Sequence, residues 1–356
     1  MSDFFFQQKS FRVEGVKVED YQVIEPSRID RLKMASPSNI YNTYHHLLKK
    51  HSRKQAADLT KSYCLNTNFS PEEQVIALEF LYMNGFFEEV QLLLDTGKIT
   101  APYDFFYQLL SRRKFGRPMS RQEVRRLRNW KQDQAAAEAL RLFMLVYHHY
   151  DSKQFGSLDN YIDDIYMAMH LIDKPLVKYY FQLRFDELMF QHHWKSNMGM
   201  IAKKYAYKVI NSTLSSEKQS GMYHHLALIE VFEDYSSAMD YLNTSIRIAE
   251  DNVLTSSLYE LKERSLPFIA AFHRKTEGVE TIDPVEASHL AIAEGRMKEA
   301  EAFLSSLPSL TPFQETYLGV ARNDRLLLHR AYQRFKNEYG DHFFARLPFY
   351  YLKYLK

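Results

Sequence analysis

Glycine and proline punctuate this chain sparsely, with 11 of each in 356 residues. That is about half their usual joint share. A sandwich or barrel built on many tight hairpins needs more of them, so those folds are disfavoured. Neither G-x-G-x-x-G nor G-x-x-x-x-G-K-[ST] occurs, which removes the Gly-rich phosphate loops of dinucleotide-binding and P-loop proteins. The 25 Phe and 25 Tyr supply material for a large core. A single cysteine, Cys64, excludes an intrachain disulfide and a cysteine-based zinc site, and points to the reducing cytoplasm. No stretch approaches the roughly 18 apolar residues of a membrane span, so no membrane partner is expected. Met1–Gln8 is aromatic but lacks a basic n-region and a long apolar h-region, so it does not read as a secretory signal. The length predicts one or two domains.

From Ser27 onward the pattern is helical. Ile40, Tyr44, Leu47 and Leu48 form one stripe after a Ser-Pro-Ser start that can cap a helix. Ser70-Pro71-Glu72-Glu73 combines a capping Ser, a first-turn Pro and acids at the positive dipole end. Short helices then alternate with short breaks. Val231–Leu242 reads as helix end, turn and second helix. Ala287–Leu304 reads the same way, with Gly295 breaking the pair and Ala300 allowing close approach. Thr316–His329, followed by Ala331, Tyr332 and Phe335, looks like a third unit. The expected fold is all-α, a tetratricopeptide-like helical-repeat solenoid with a concave face. A small irregular N-terminal segment precedes it. There Phe11, Val13, Val16, Val18 and Val23 alternate among charges in Ser10–Pro26, favouring extended structure around Gly15. The border is placed at 1–60 and 61–356.

The formal net charge of +2 hides an asymmetry. Residues 112–131 hold nine basic residues and one acid, a net +8, which leaves the rest near −6. Such a run suits a phosphate backbone or an acidic protein partner, or forms a solvated face paired with acids elsewhere. Arg112, Arg113, Arg121, Arg125 and Arg128 are its candidate nucleic-acid contacts. Arg125, Arg128 and Gln122 have the spacing of one helical face.

Four His-His pairs occur, at His45-His46, His148-His149, His192-His193 and His224-His225. Adjacent helical residues diverge by about 100°, so such a pair does not clamp one metal. No H-E-x-x-H occurs, and no metal site is expected. Cys64 reads as a small buried residue rather than a nucleophile. No G-x-S-x-G or other catalytic arrangement is present, so neither an enzyme nor a cofactor is expected.

Several segments, taken in order, carry a resemblance. They are Tyr63-Cys64-Leu65-Asn66, Ala77-Leu78-Glu79-Phe80, Met83-Asn84-Gly85-Phe86-Phe87-Glu88, Val231-Phe232-Glu233-Asp234-Tyr235, Leu266-Pro267-Phe268-Ile269 and Asp341-His342-Phe343-Phe344-Ala345-Arg346-Leu347-Pro348. Together, over roughly residues 36–352, the chain resembles the arbitrium receptor family of Bacillus phages, within the tetratricopeptide-repeat quorum-sensing regulators. The resemblance implies a receptor with an N-terminal helix-turn-helix. It implies that a short secreted peptide, bound in the repeat domain, changes the activation of transcription that steers lysis against lysogeny. Phe268 falls on a pocket aromatic of the family. Glu286 and Asp341 fall on acids that pair with an arginine of the peptide, a match guanidinium favours.

Other family positions differ. The pocket asparagines fall at Gln191, Lys195 and Leu228, and a pocket arginine at Glu217, so those roles do not carry over. Either the ligand differs or peptide binding is weakened or lost. Glu286 after Asp283-Pro284 also fits a helix's first turn, Asp341 after Gly340 fits an N-cap, and Phe268 alone fits core.

The N-terminal helix-turn-helix is degenerate by this reading. Its remnant is a candidate helix at Pro26–Met34 bearing Arg28, Arg31 and Lys33. The family's further apolar C-terminal helix, which supports a homodimer, has no counterpart before Lys356. Two outputs follow from the resemblance. One is DNA binding through Arg28, Arg31, Lys33 and the 112–131 run. The other is a protein-binding adaptor or decoy, as in the related Rap-type regulators.

Overall fold

The computed structural model describes residues 38–213 and 215–353. The extended reading of Ser10–Pro26 and the candidate helix with Arg28, Arg31 and Lys33 lie outside those residues. Among the described residues every regular element is helical. The chain runs through α1 (Asn39–Leu48), α2 (Arg53–Asn66), α3 (Pro71–Met83), α4 (Phe87–Asp95), α5 (Tyr103–Lys114), α6 (Arg121–Asn129) and α7 (Ala135–Asp151). It continues through α8 (Ile162–His170), α9 (Pro175–Lys195), α10 (Gly199–Ser212), α11 (Ser216–Glu230) and α12 (Tyr235–Asp251). The last part holds α13 (Thr255–Tyr259), α14 (Leu266–Phe272), α15 (Pro284–Ala293), α16 (Met297–Ser306), α17 (Pro312–Ala321), α18 (Arg325–Arg334) and α19 (Arg346–Leu352). π-Helical turns at Glu260–Ser265 and Phe335–Tyr339 re-aim the chain before α14 and after α18. No described helix is long and apolar enough to cross a membrane.

Local chemistry sets most helix starts. The side chains of Ser38, Ser52, Ser120, Thr311 and Asp324 each accept a hydrogen bond from a first-turn backbone N–H. Ser70 occupies the N-cap of α3, as its Ser-Pro-Glu-Glu context predicts, but its hydroxyl makes no capping bond. There Pro71 and the two acids specify the start. Helix α2 runs continuously through residue 60 and buries Ala56, Ala57, Thr60 and Cys64.

Successive helices pack mainly on their sequence neighbours, which is the arrangement of a helical-repeat solenoid. Small residues set the spacing. Gly295 takes φ +84° after α15, and Ala300 of α16 is fully buried. At Gly319 of α17 an added Cβ would lie 2.9 Å from the Leu328 side chain of α18. These backbones therefore approach more closely than a larger residue allows.

One contact spans the repeats. Arg184 of α9 makes a bidentate pair with Glu79 of α3, at Nη2–Oε1 2.7 Å and Nε–Oε2 3.1 Å. Both side chains are almost fully buried. Tyr107 of α5 donates its hydroxyl to the Glu79 carboxylate. Arg184 donates to the Tyr147 hydroxyl of α7 at 3.0 Å and lies over the Tyr82 ring. Four alternate helices thus meet at one charge pair. Breaking it by Glu79→Gln strands a buried guanidinium and should cost about 3–5 kcal/mol in urea unfolding. Replacing both partners, as Glu79→Leu with Arg184→Met, should recover most of that loss.

Candidate functional site

A cavity of about 340 Å³ lies among α3, α5, α7, α9 and α11, with Phe87 at the start of α4 and Leu158 closing it. That is within the range of ligand pockets. Tyr82, Phe87, Tyr147, Tyr150 and Met222 give apolar walls. The charges on its walls are paired off. Arg113 grips Asp151 with two 2.8 Å bonds and lies over Tyr147, Lys114 pairs with Glu217, and Lys218 pairs with Glu187 at 2.5 Å.

Two polar atoms there are not satisfied. Gln191 Oε1 and His225 Nδ1 are buried without a hydrogen-bond partner among the described residues. Burial drives the His225 imidazole well below the usual histidine range, and His224 and Lys195 add to the shift. It is therefore neutral at pH 7. Orphaned buried polar groups are costly, and a ligand group meets these two only after their side chains turn toward the cavity.

Phe268, Glu286 and Asp341 are linked through His289 and Phe344, and none of the three lines that cavity. Phe268 is buried against His289, Phe313 and Phe344. On one side, Asp283 caps α15 through the backbone N–H groups of Val285 and Glu286. This places Glu286 in the first turn. Its carboxylate accepts from the Tyr317 hydroxyl at 3.4 Å, with His289 Nδ1 3.5 Å away. Burial pushes the Glu286 carboxyl up, while His289 and Tyr317 counter only part of that rise.

On the other side, Asp341 is 2 % exposed, and Oδ1 accepts from the Phe344 backbone N–H. Oδ2 accepts from the Lys195 ammonium at 2.8 Å. An acid aligned with a ligand's arginine is therefore engaged by a lysine of the same chain. Sequence spacing gave no sign of this pair, because its members lie 146 residues apart. Of the positions where the family pattern is broken, Gln191 and Glu217 line the cavity, whereas Lys195 lies outside its lining.

The 112–131 run divides into two parts. Arg112 pairs with Glu123 at 2.6 Å, and Arg113 and Lys114 face the cavity, so the candidate contacts Arg112 and Arg113 are spent internally. Arg126 stacks on Phe105 and Trp130. Arg117, Arg121, Arg125, Arg128 and Lys131 are exposed and make no ion pair among the described residues. Val124 and Leu127 turn α6 inward. At 100° per residue Arg121, Arg125 and Arg128 then fall within a wedge of on the order of 60°. Arg121 joins Arg125 and Arg128 in the stripe, and Gln122 falls outside it.

Cys64 is fully buried, and burial pushes its thiol up to about 12, so it is no nucleophile. Among the described residues no group of three or more His, Cys, Asp or Glu is placed to hold a metal ion.

A helical-repeat solenoid with a cavity against alternate helices is what this geometry defines. Residues 56–354 match the AimR transcriptional regulator-like family, and the chain belongs to that family. An uncharacterised protein of Bacillus anthracis is 26% identical over 217 residues, covering 58% of this chain and 80% of the relative. The solved structure of phAimR with ligand is similar with a TM-score of 0.73 at 16% identity, covering 91% of this chain and 98% of that one. A selenomethionine structure of phAimR is similar with a TM-score of 0.59 at 16% identity, covering 87% and 84%.

The half-buried Glu286 carboxyl sets a pH dependence. Its folded-state pKa is raised, so its contribution is full below the unfolded pKa and is lost as pH rises through the folded value. Glu286→Gln removes that loss. Urea midpoints should show the variant gaining on the wild type between pH 4.5 and 8, whereas a pH-independent difference would contradict the assignment.

Proposed function

We propose that the chain is a cytoplasmic, non-enzymatic regulator whose activity responds to a short peptide held on the inner face of its repeats. The observation that carries this is the inner cavity, lined by alternate helices, with two unpartnered polar atoms, Gln191 Oε1 and His225 Nδ1. Family membership and likeness to phAimR with its ligand support the reading. Phe268, Glu286 and Asp341 lie outside the cavity lining and enter this reading only as candidate peptide contacts by family likeness, and by the same likeness the regulation is of phage lysis and lysogeny. Calorimetry with peptides from small secreted precursors encoded beside the gene, with and without a basic residue, tests it. Saturable heats should fall about tenfold in affinity in His225→Ala, the loss of one buried hydrogen bond. A panel without any binder, or an unchanged His225→Ala, would overturn it.

For the output we propose nucleic-acid binding through the outward face of α6, with Arg28, Arg31 and Lys33 as further candidate contacts. The specific support is that Arg121, Arg125 and Arg128 are exposed without an apolar centre between them. Phosphate contacts need no such centre, whereas a protein interface does. A mobility-shift series in salt checks this. Changing all three arginines to Ala should reduce the slope of log affinity against log salt by about 2–3, near 0.9 per lost phosphate contact. No binding at low salt would favour the adaptor reading, in which the partner is a protein.

A further inference from the structure

Lys195 ends α9 in an unusual setting. Its ammonium lies 3.9 Å from the Trp194 ring centroid, 4.6 Å from Phe155 and 4.9 Å from Phe344. Its hydrogen-bonded partner is Asp341 Oδ2 at 2.8 Å, and both residues are buried. Three aromatic faces and one carboxylate around an ammonium are the elements by which proteins recognise cationic ligands. The cage is also held firmly from outside. His342 donates its backbone N–H to the Lys195 carbonyl at 2.8 Å, and Asp341 N–H donates to Phe335 O at 2.8 Å. Gly340 sits at φ +65° against Gly156, where an added Cβ would lie 2.3 Å from the Gly156 nitrogen. The turn at 155–157, the end of α9 and the segment 340–344 therefore converge on this ammonium.

We propose that Lys195 is a built-in ligand: it occupies a carboxylate–aromatic cation site made by Asp341, Trp194, Phe155 and Phe344, and so fastens the 340–344 segment to α9 without any external cation. The site's ligand class is a primary alkylammonium group, and the chain supplies it. An outside cation is shut out while Lys195 is in place. The Lys195–Asp341 pair couples groups 146 residues apart, so it closes the C-terminal repeats onto the middle of the chain. This inference is independent of what the inner cavity binds. It would stand if no peptide bound there.

Chemical rescue of the full chain tests it. Lys195→Ala removes the equivalent of n-propylammonium and leaves its space. The melting temperature of Lys195→Ala should fall and recover saturably with n-propylammonium. It should not recover with 1-propanol, which has the same shape without charge. Wild type should show no saturable response to the amine. Lys195→Ala combined with Asp341→Asn should lose the rescue. Rescue by 1-propanol equal to that by the amine, rescue that survives Asp341→Asn, or a wild-type response equal to the variant's would overturn the proposal.

Lys195→Met keeps the packed stem and covers the case in which Lys195→Ala does not fold. Its His342 and Phe344 amides should exchange faster with solvent than in the wild type. Unchanged protection of those amides would equally overturn the latch.

Discussion

A charge pair that water does not reach organises the middle of this molecule. Glu79 and Arg184 lie 105 residues apart, yet their bidentate contact joins α3 to α9, and Tyr107 and Tyr147 bring in α5 and α7. Burying two ions is unfavourable unless the remaining donors and acceptors are met. Here the phenols meet them. Because a buried charge tolerates little misalignment, the four helices are held in one register. That register gives the inner cavity its walls, since Tyr82, which lies beneath the guanidinium, and Tyr147, which accepts from it, both line it.

A stack in which each helix touches mainly its neighbours behaves as a one-dimensional array whose parts can open separately. Contacts between distant repeats change that behaviour. The Glu79–Arg184 pair ties the first repeats to the middle, and the Lys195–Asp341 pair ties the middle to the end. Both involve α9, the longest of the described helices, which acts as a spine.

The local features were legible in the sequence. Ser38 and the Ser-Pro-Glu-Glu start of α3 announced helix beginnings, and Gly295 with Ala300 announced a close helix pair, because caps and small residues act within a few positions. The resemblance extended this to the family and its fold. It also brought Phe268, Glu286 and Asp341 forward, which the fold links through His289 and Phe344. Their partners were not legible. Lys195 engages Asp341 across 146 residues and Lys114 engages Glu217 across 103, and no local pattern encodes such distances. The basic run shows the same limit. Counting charge gave a net +8, but only the fold separates Arg112, Arg113 and Lys114, which are paired, from the stripe on α6, which is not.

This separation has a consequence for how the molecule meets its surroundings. Around the cavity each cation has a nearby anion, so the field there is short-ranged and mobile ions screen little of it. Outside, the α6 arginines project an uncompensated field that reaches about one Debye length, on the order of 8 Å at physiological ionic strength. Changes in cellular salt or polyamine levels would therefore act on one face and leave the other almost untouched. The two surfaces differ in the kind of environment to which each is sensitive, as well as in shape.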